Sequence, residues 1–119
     1  MSLLADLAVG LVALLHLAFL VLEMFLWKRP LGRRIFGLSR EKAEETAALA
    51  ANQGLYNGFL VAGLVWGLVR GADGLDVKIF FLVCVVVAGV FGAATAKRSI
   101  LWVQALPAAV ALALVLAAT

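Results

Sequence analysis

Four apolar stretches alternate with short polar connections along the chain, at about 4–27, 43–69, 77–96 and 99–118. Each is long enough to cross a bilayer as a helix, since a hydrocarbon layer about 30 Å thick needs roughly 20 helical residues. Short connections make consecutive helices antiparallel neighbours. The pattern predicts an all-α fold: an integral membrane four-helix bundle, antiparallel and up-down, forming a single transmembrane domain over residues 1–119.

The second apolar stretch has a marked start. Ser39 is a predicted N-cap, and Glu41, Glu44 and Glu45 fall near the positive end of the helix dipole. A helix from Arg40 to Val69 is about 45 Å long, so its first turns project beyond the hydrocarbon. Rows of small residues then mark close helix contacts: Gly54 with Gly58, Gly63 with Gly67, and Ala88, Gly92 and Ala96.

Composition supports the membrane reading. The chain is 66% hydrophobic and 14% charged, with a mean hydropathy of +1.12. Soluble domains average about 45–50% and about 25%, and a chain this short cannot hide the excess in a water-soluble core. The first apolar run reads as a span rather than a secretory signal, because no basic residue precedes it and no small-residue cleavage site interrupts it.

Charge sets the orientation. Lys28, Arg29, Arg33, Arg34, Arg40 and Lys42 lie in the first connection and Lys97 and Arg98 in the third, whereas Arg70 and Lys78 in the second are balanced by Asp73 and Asp76. The positive-inside bias places the 28–42 loop in the cytoplasm of a multi-pass cell-membrane protein, with the N- and C-termini extracytoplasmic. The same distribution explains the net charge without invoking nucleic acid.

The chemistry resides in polar groups within the apolar runs. His16 and Glu23 are seven residues apart, within about 20° of one another on a helix, and Trp27 flanks them. With Asn52 set at zero, Tyr56, Gln53 and Asn57 fall at about 40°, 100° and 140°, while Gly54 and Gly58 lie near 200° and 240°. Thr95 on the third span and Gln104 on the fourth are placed, with Glu23, Asn52 and Gln53, in the cytoplasmic half of the membrane, and Pro107 removes a backbone donor close to Gln104.

Each such group costs several kcal/mol if it faces lipid unpaired. The expectation is therefore that they turn toward one another as a polar pocket inside the bundle. Packing alone never requires a carboxylate at that depth, so Glu23 and His16 are the proton-exchange candidates. Trp27, Asn52, Gln53, Tyr56, Asn57, Thr95 and Gln104 are the candidate ligand-binding residues. One histidine and one cysteine, Cys84, make no metal site within a chain, and no phosphate loop, nucleophile elbow, HExxH or CxxC is present, so no metal and no cofactor is expected.

The segments "HLAFLVLEMFLWK", "ANQGLYNGFLVAGLVWGL", "CVVVAGVFGAAT" and "QALPA" together resemble a small four-helix membrane family catalogued as domain of unknown function 1304. The resemblance implies signature positions at His16, Glu23, Met24, Trp27, Asn52, Gln53, Tyr56, Asn57, Thr95 and Gln104. It implies no activity, substrate or partner.

The residues favour a pocket for a small lipophilic or cationic molecule, used for proton-linked transport by a homodimer or other homo-oligomer, because one four-helix protomer encloses little of a pathway. Two alternatives stand beside it. One is a cofactor-free intramembrane acid/base enzyme, an isomerase or hydratase acting on a lipid-like substrate. The other is a structural or accessory membrane subunit.

Overall fold

The computed structural model describes residues 3–119. Among these the chain is all-α, with five α-helices: α1 (Leu3–Met24), α2 (Pro30–Phe36), α3 (Arg40–Val69), α4 (Leu75–Thr95) and α5 (Leu106–Ala117). A 3-10 turn over Gly71–Gly74 leads into α4, and a π turn over Leu101–Ala105 leads into α5. The helix α1 and the run Gly71–Thr95 are long and apolar enough to cross a membrane, and Leu101–Ala117 is a shorter apolar helix.

The first span was expected to reach Trp27, but α1 ends at Met24. The N–H groups of Phe25 and Leu26 both turn back to the Val21 carbonyl, at 3.0 and 3.2 Å, and Pro30 then disfavours helix in the residue before it. The first connection is also not irregular throughout, because it folds as α2. Pro30 sits at the first turn of that helix, where its missing N–H costs nothing, and Gly37 closes it in the left-handed conformation at φ 65°. For α3, Ser39 caps as predicted: its Oγ accepts the Lys42 N–H at 3.1 Å, and the helix runs from Arg40 to Val69.

The chain divides into two compact units. One comprises the chain up to Leu15 together with Leu60–Thr119. Its core draws on Ala5, Val9, Val12 and Ala13 of α1, Leu64 of α3, Leu82 and Val85 of α4, and Ala108, Ala111 and Val115 of α5. The spacings of three and four residues within each helix are those of a single buried stripe. Glycines bring the backbones together. A Cβ on Gly89 would come 2.6 Å from the Ala105 nitrogen, and one on Gly92 would come 3.1 Å from the Ile100 side chain. The Phe81 ring occupies the space that a side chain at Gly63 would need.

The π turn accounts for both contacts with α4. In an α-helix Ile100 and Ala105 would face about 140° apart. Here the Leu106 N–H reaches back five residues to the Leu101 carbonyl. This wider closure returns Ala105 toward the side of Ile100. It also lies immediately ahead of Pro107, which has no N–H to give an α-helical turn.

An ion pair crosses this unit. Lys78 Nζ lies 3.2 Å from Asp6 Oδ1, with the lysine side chain 10% exposed and the aspartate 45%. Removing one partner of a fully buried pair costs about 3–5 kcal/mol. The Asp6 side chain is nearly half exposed and can be solvated when its partner is lost, so Lys78→Ala is expected to cost only about 1–2 kcal/mol. Thermal unfolding in detergent checks this. The Asp6→Ala, Lys78→Ala double variant should be more stable than the sum of the single losses predicts, and simple additivity would show that the pair carries no coupling.

The second unit is His16–Phe59. It contains the end of α1, all of α2 and the first twenty residues of α3. Gly32 of α2 packs on the Leu26 carbonyl, where a Cβ would not fit. Trp27 ties the three helices together: its ring lies 4.7 Å from that of Phe36, and its Nε1 donates to Thr46 Oγ1 at 3.0 Å. Thr46 in turn donates to the Lys42 carbonyl at 2.7 Å.

Candidate functional site

Within the second unit, the end of α1 meets α3 along a row of small side chains. A Cβ on Gly54 would lie 2.5 Å from Met24 Cγ, 3.2 Å from Glu23 Cβ and 3.3 Å from the Leu20 carbonyl oxygen. One on Gly58 would lie 3.0 Å from Leu20 Cδ1. Leu20, Glu23 and Met24 share one face of α1, as Gly54, Asn57 and Gly58 share one face of α3. The glycines remove the bulk that would hold the helices apart, and this brings the two polar members of the rows into contact.

That contact is a hydrogen bond. Asn57 Nδ2 donates to Glu23 Oε1 at 2.6 Å. Asn57 is only 4% exposed, and the Glu23 side chain is half-buried. With the carboxylate ionised, such a bond is charge-assisted, and bonds of that kind are shorter and stronger than those between neutral groups. The asparagine amide carries both donor and acceptor atoms. It can therefore donate to an ionised carboxylate or, after reorienting, accept from a protonated one, so the pair is satisfied in either state.

The other predicted residues are distributed differently. His16 is fully buried, with its ring edge-on to Phe19 at 5.2 Å. Seven residues of helix separate it from Glu23 by about 10 Å along the axis, too far for a direct hydrogen bond. Trp27 is engaged by Thr46 and Phe36. Asn52, Gln53 and Tyr56 were expected to turn inward and instead are exposed, with the Tyr56 ring 6.1 Å from Phe59.

The reason is geometric. The end of α1 lies against the Gly54 and Gly58 side of α3, and Asn57 is the one member of the polar set adjacent to that side. Thr95 is also exposed, and its hydroxyl donates to the Phe91 carbonyl at 2.7 Å, as threonines in helices commonly do. Gln104 is part-buried in the π turn. No group of three or more His, Cys, Asp or Glu residues that could hold a metal occurs among the described residues.

Asp6 and Lys78 were not singled out from the sequence. Their only signal there is opposite charge near the starts of the first and third apolar runs, with Lys78 read as balanced by nearby aspartates. A shallow, open groove of about 460 Å³ was likewise not anticipated. It is lined by Pro30, Arg33, Arg34, Gly37, Leu38 and Ser39.

No solved structure matches the chain. It is similar to the uncharacterized protein YpaA of Lactococcus lactis subsp. lactis (strain IL1403), with 27% identity over 96 residues that cover 79% of this chain and 81% of that one. A family model described as Protein of unknown function (DUF1304) matches residues 10–116, a span that takes in both Glu23 and Asn57, and the chain belongs to that family.

Proposed function

We propose that this chain is a multi-pass cell-membrane protein that couples reversible protonation of Glu23 to movement of a small lipophilic or cationic solute, acting as a homodimer. In this reading α1, the apolar part of α3, α4 and the run Leu101–Ala117 are the four crossings of an up-down bundle. The termini lie outside and the 28–42 loop lies in the cytoplasm. Rows of outward-facing Leu7, Leu11, Leu14 and Val21 on α1 and Val83, Val87 and Val90 on α4 support a lipid environment, because soluble surfaces rarely carry apolar patches this continuous.

The observation that carries the reading is the Glu23–Asn57 hydrogen bond at a glycine-lined helix crossing. A carboxylate set this far into a predominantly apolar helix is costly to retain for packing alone. An amide partner able to serve both protonation states lets the proton come and go without leaving a buried group unsatisfied. Exposed Asn52, Gln53 and Tyr56 on the neighbouring arc of α3 supply the hydrogen-bonding and aromatic surface for a solute, with a second protomer closing the pathway.

The test is a vesicle assay. Protein reconstituted into liposomes with an entrapped pH-sensitive dye is expected to accelerate proton movement when tetraphenylphosphonium or a comparable lipophilic cation is supplied. Rates equal to those of protein-free liposomes across a panel of such cations and neutral lipophilic solutes would overturn transport. A chain released from membranes by alkaline carbonate would overturn the membrane assignment itself.

A further inference from the structure

The short helix α2 has three distinct sides. Gly32 and Phe36 face the rest of their unit, packed on Leu26 and Trp27. Leu31 and Ile35, one turn apart, are exposed at 49% and 51%. Arg33 and Arg34 lie on the remaining side and line the groove of about 460 Å³ with Leu38 and Ser39. The Nε–H of Arg33 donates to the Lys28 carbonyl at 3.2 Å, which holds one of the two guanidinium heads in place.

No carboxylate neutralises this side. Among the described residues the ion pairs are Lys42–Glu45 and Lys78–Asp6, and neither involves Arg33 or Arg34. Lys28 and Arg29 precede the groove in the chain, and both are exposed. The position of α2 is restricted as well. Only residues 25–29 separate it from the end of α1, a reach of at most about 18 Å, and Gly32 is packed on Leu26 within that link.

We propose that α2 lies in the headgroup layer of the cytoplasmic leaflet, with Leu31 and Ile35 dipping toward the acyl chains and the Arg33–Arg34 groove holding the phosphate of an anionic phospholipid. The inference rests on the membrane placement of α1 given under Proposed function. Guanidinium groups match a phosphate in charge and in hydrogen-bonding geometry. An apolar edge beside a basic one is the pattern of a helix lying in the membrane interface. Topology alone explains basic residues on the cytoplasmic side, but it does not require two arginines in one groove next to an exposed apolar edge.

The experiment uses the full chain, delipidated in a mild detergent and titrated with equal amounts of dioleoyl phosphatidylglycerol and dioleoyl phosphatidylcholine, with retained lipid read by native mass spectrometry. The wild-type chain is expected to retain the anionic lipid preferentially. In the Arg33→Gln, Arg34→Gln variant that retention should weaken by roughly 30-fold, the effect of two basic residues at an anionic surface. The Lys97→Gln, Arg98→Gln variant loses the same net charge and should keep the preference.

Equal retention of the two lipids by the wild-type chain would overturn the proposal without reference to any variant's folding. So would a preference that survives in the Arg33, Arg34 variant, or one lost equally in the Lys97, Arg98 variant. Displacement of the lipid by millimolar inorganic phosphate would show a free-anion site instead, since the apolar edge would then contribute nothing. Carbonate extraction of the same membranes separates this failure from failure of the membrane reading, because a chain that stays in the pellet but shows no lipid preference sinks only the headgroup site.

Discussion

In liposomes carrying the Glu23→Gln chain, solute-dependent proton movement is expected to fall to the protein-free rate, while the unfolding temperature stays close to that of the wild type. Glutamine has the same length as glutamate and retains an acceptor oxygen, so Asn57 Nδ2 can still donate across the helix crossing. Only the ability to take up and release a proton is removed. Replacing Asn57 acts in the opposite way. Asn57→Leu removes the donor, strands the half-buried carboxylate and adds apolar bulk beside Gly54. Loss of a hydrogen bond to a charged group costs about 1.5–3 kcal/mol. The two variants should therefore separate, one losing transport with its stability kept and the other losing stability first. Wild-type flux in the Glu23→Gln chain would remove Glu23 from the mechanism.

Gly89→Ala is expected to destabilise the chain although alanine is the better helix former. Alanine in place of a helical glycine favours the helix by about 1 kcal/mol. At Gly89 the added Cβ would lie 2.6 Å from the Ala105 nitrogen and 2.8 Å from its Cα, and both are backbone atoms that cannot rotate away. Overpacking a core typically costs about 1–3 kcal/mol, and here the π turn itself must move, so the upper part of that range applies. Gly10 supplies the contrast, because nothing lies within 4 Å of a Cβ placed there. Gly10→Ala should leave stability unchanged or raise it by up to about 1 kcal/mol. Thermal unfolding of both variants in one detergent decides the matter. Equal stability for the two would mean that α4 does not approach Ala105 as closely as the Gly89 contact requires.

The sequence announced helices more reliably than faces. The start of α3 was legible because Ser39 and the following acids form a complete N-terminal signal. For α2, Pro30 and Gly37 stood at the right places to begin and end a helix, but seven residues with two arginines show no apolar period to connect them. Pro107 marked a lost donor in the last apolar run, yet a missing N–H does not say whether a helix will kink, break or widen, and it widens.

The polar set on α3 is the most instructive case. Asn52, Gln53, Tyr56 and Asn57 fall within one arc of about 140° on a helical projection. Which edge of that arc is covered depends on where α1 packs, and both the Gly54–Gly58 and the Gly63–Gly67 rows offered a place for a neighbouring helix. Packing of α1 on the first row buries Asn57 and leaves the other three exposed. Asp6 and Lys78 were illegible for a related reason, since a pairing across 72 positions in sequence is set by tertiary register and not by local pattern.

The π turn at Leu101–Ala105 also determines where chains of this kind can change in length. It holds one residue more than an α-helix of the same rise, so it behaves as an insertion already absorbed by the fold. A relative lacking one residue between Ile100 and Ala105 would close into continuous α-helix. It would keep Ala108, Ala111 and Val115 inward, and with Ile100 and Ala105 then four positions apart, about 40° from one another on an α-helix, it would also leave Ile100 facing Gly92. The same deletion in the middle of α1, α3 or α4 would rotate whole turns of a buried stripe. Single-residue gaps among relatives are therefore expected to collect at this turn.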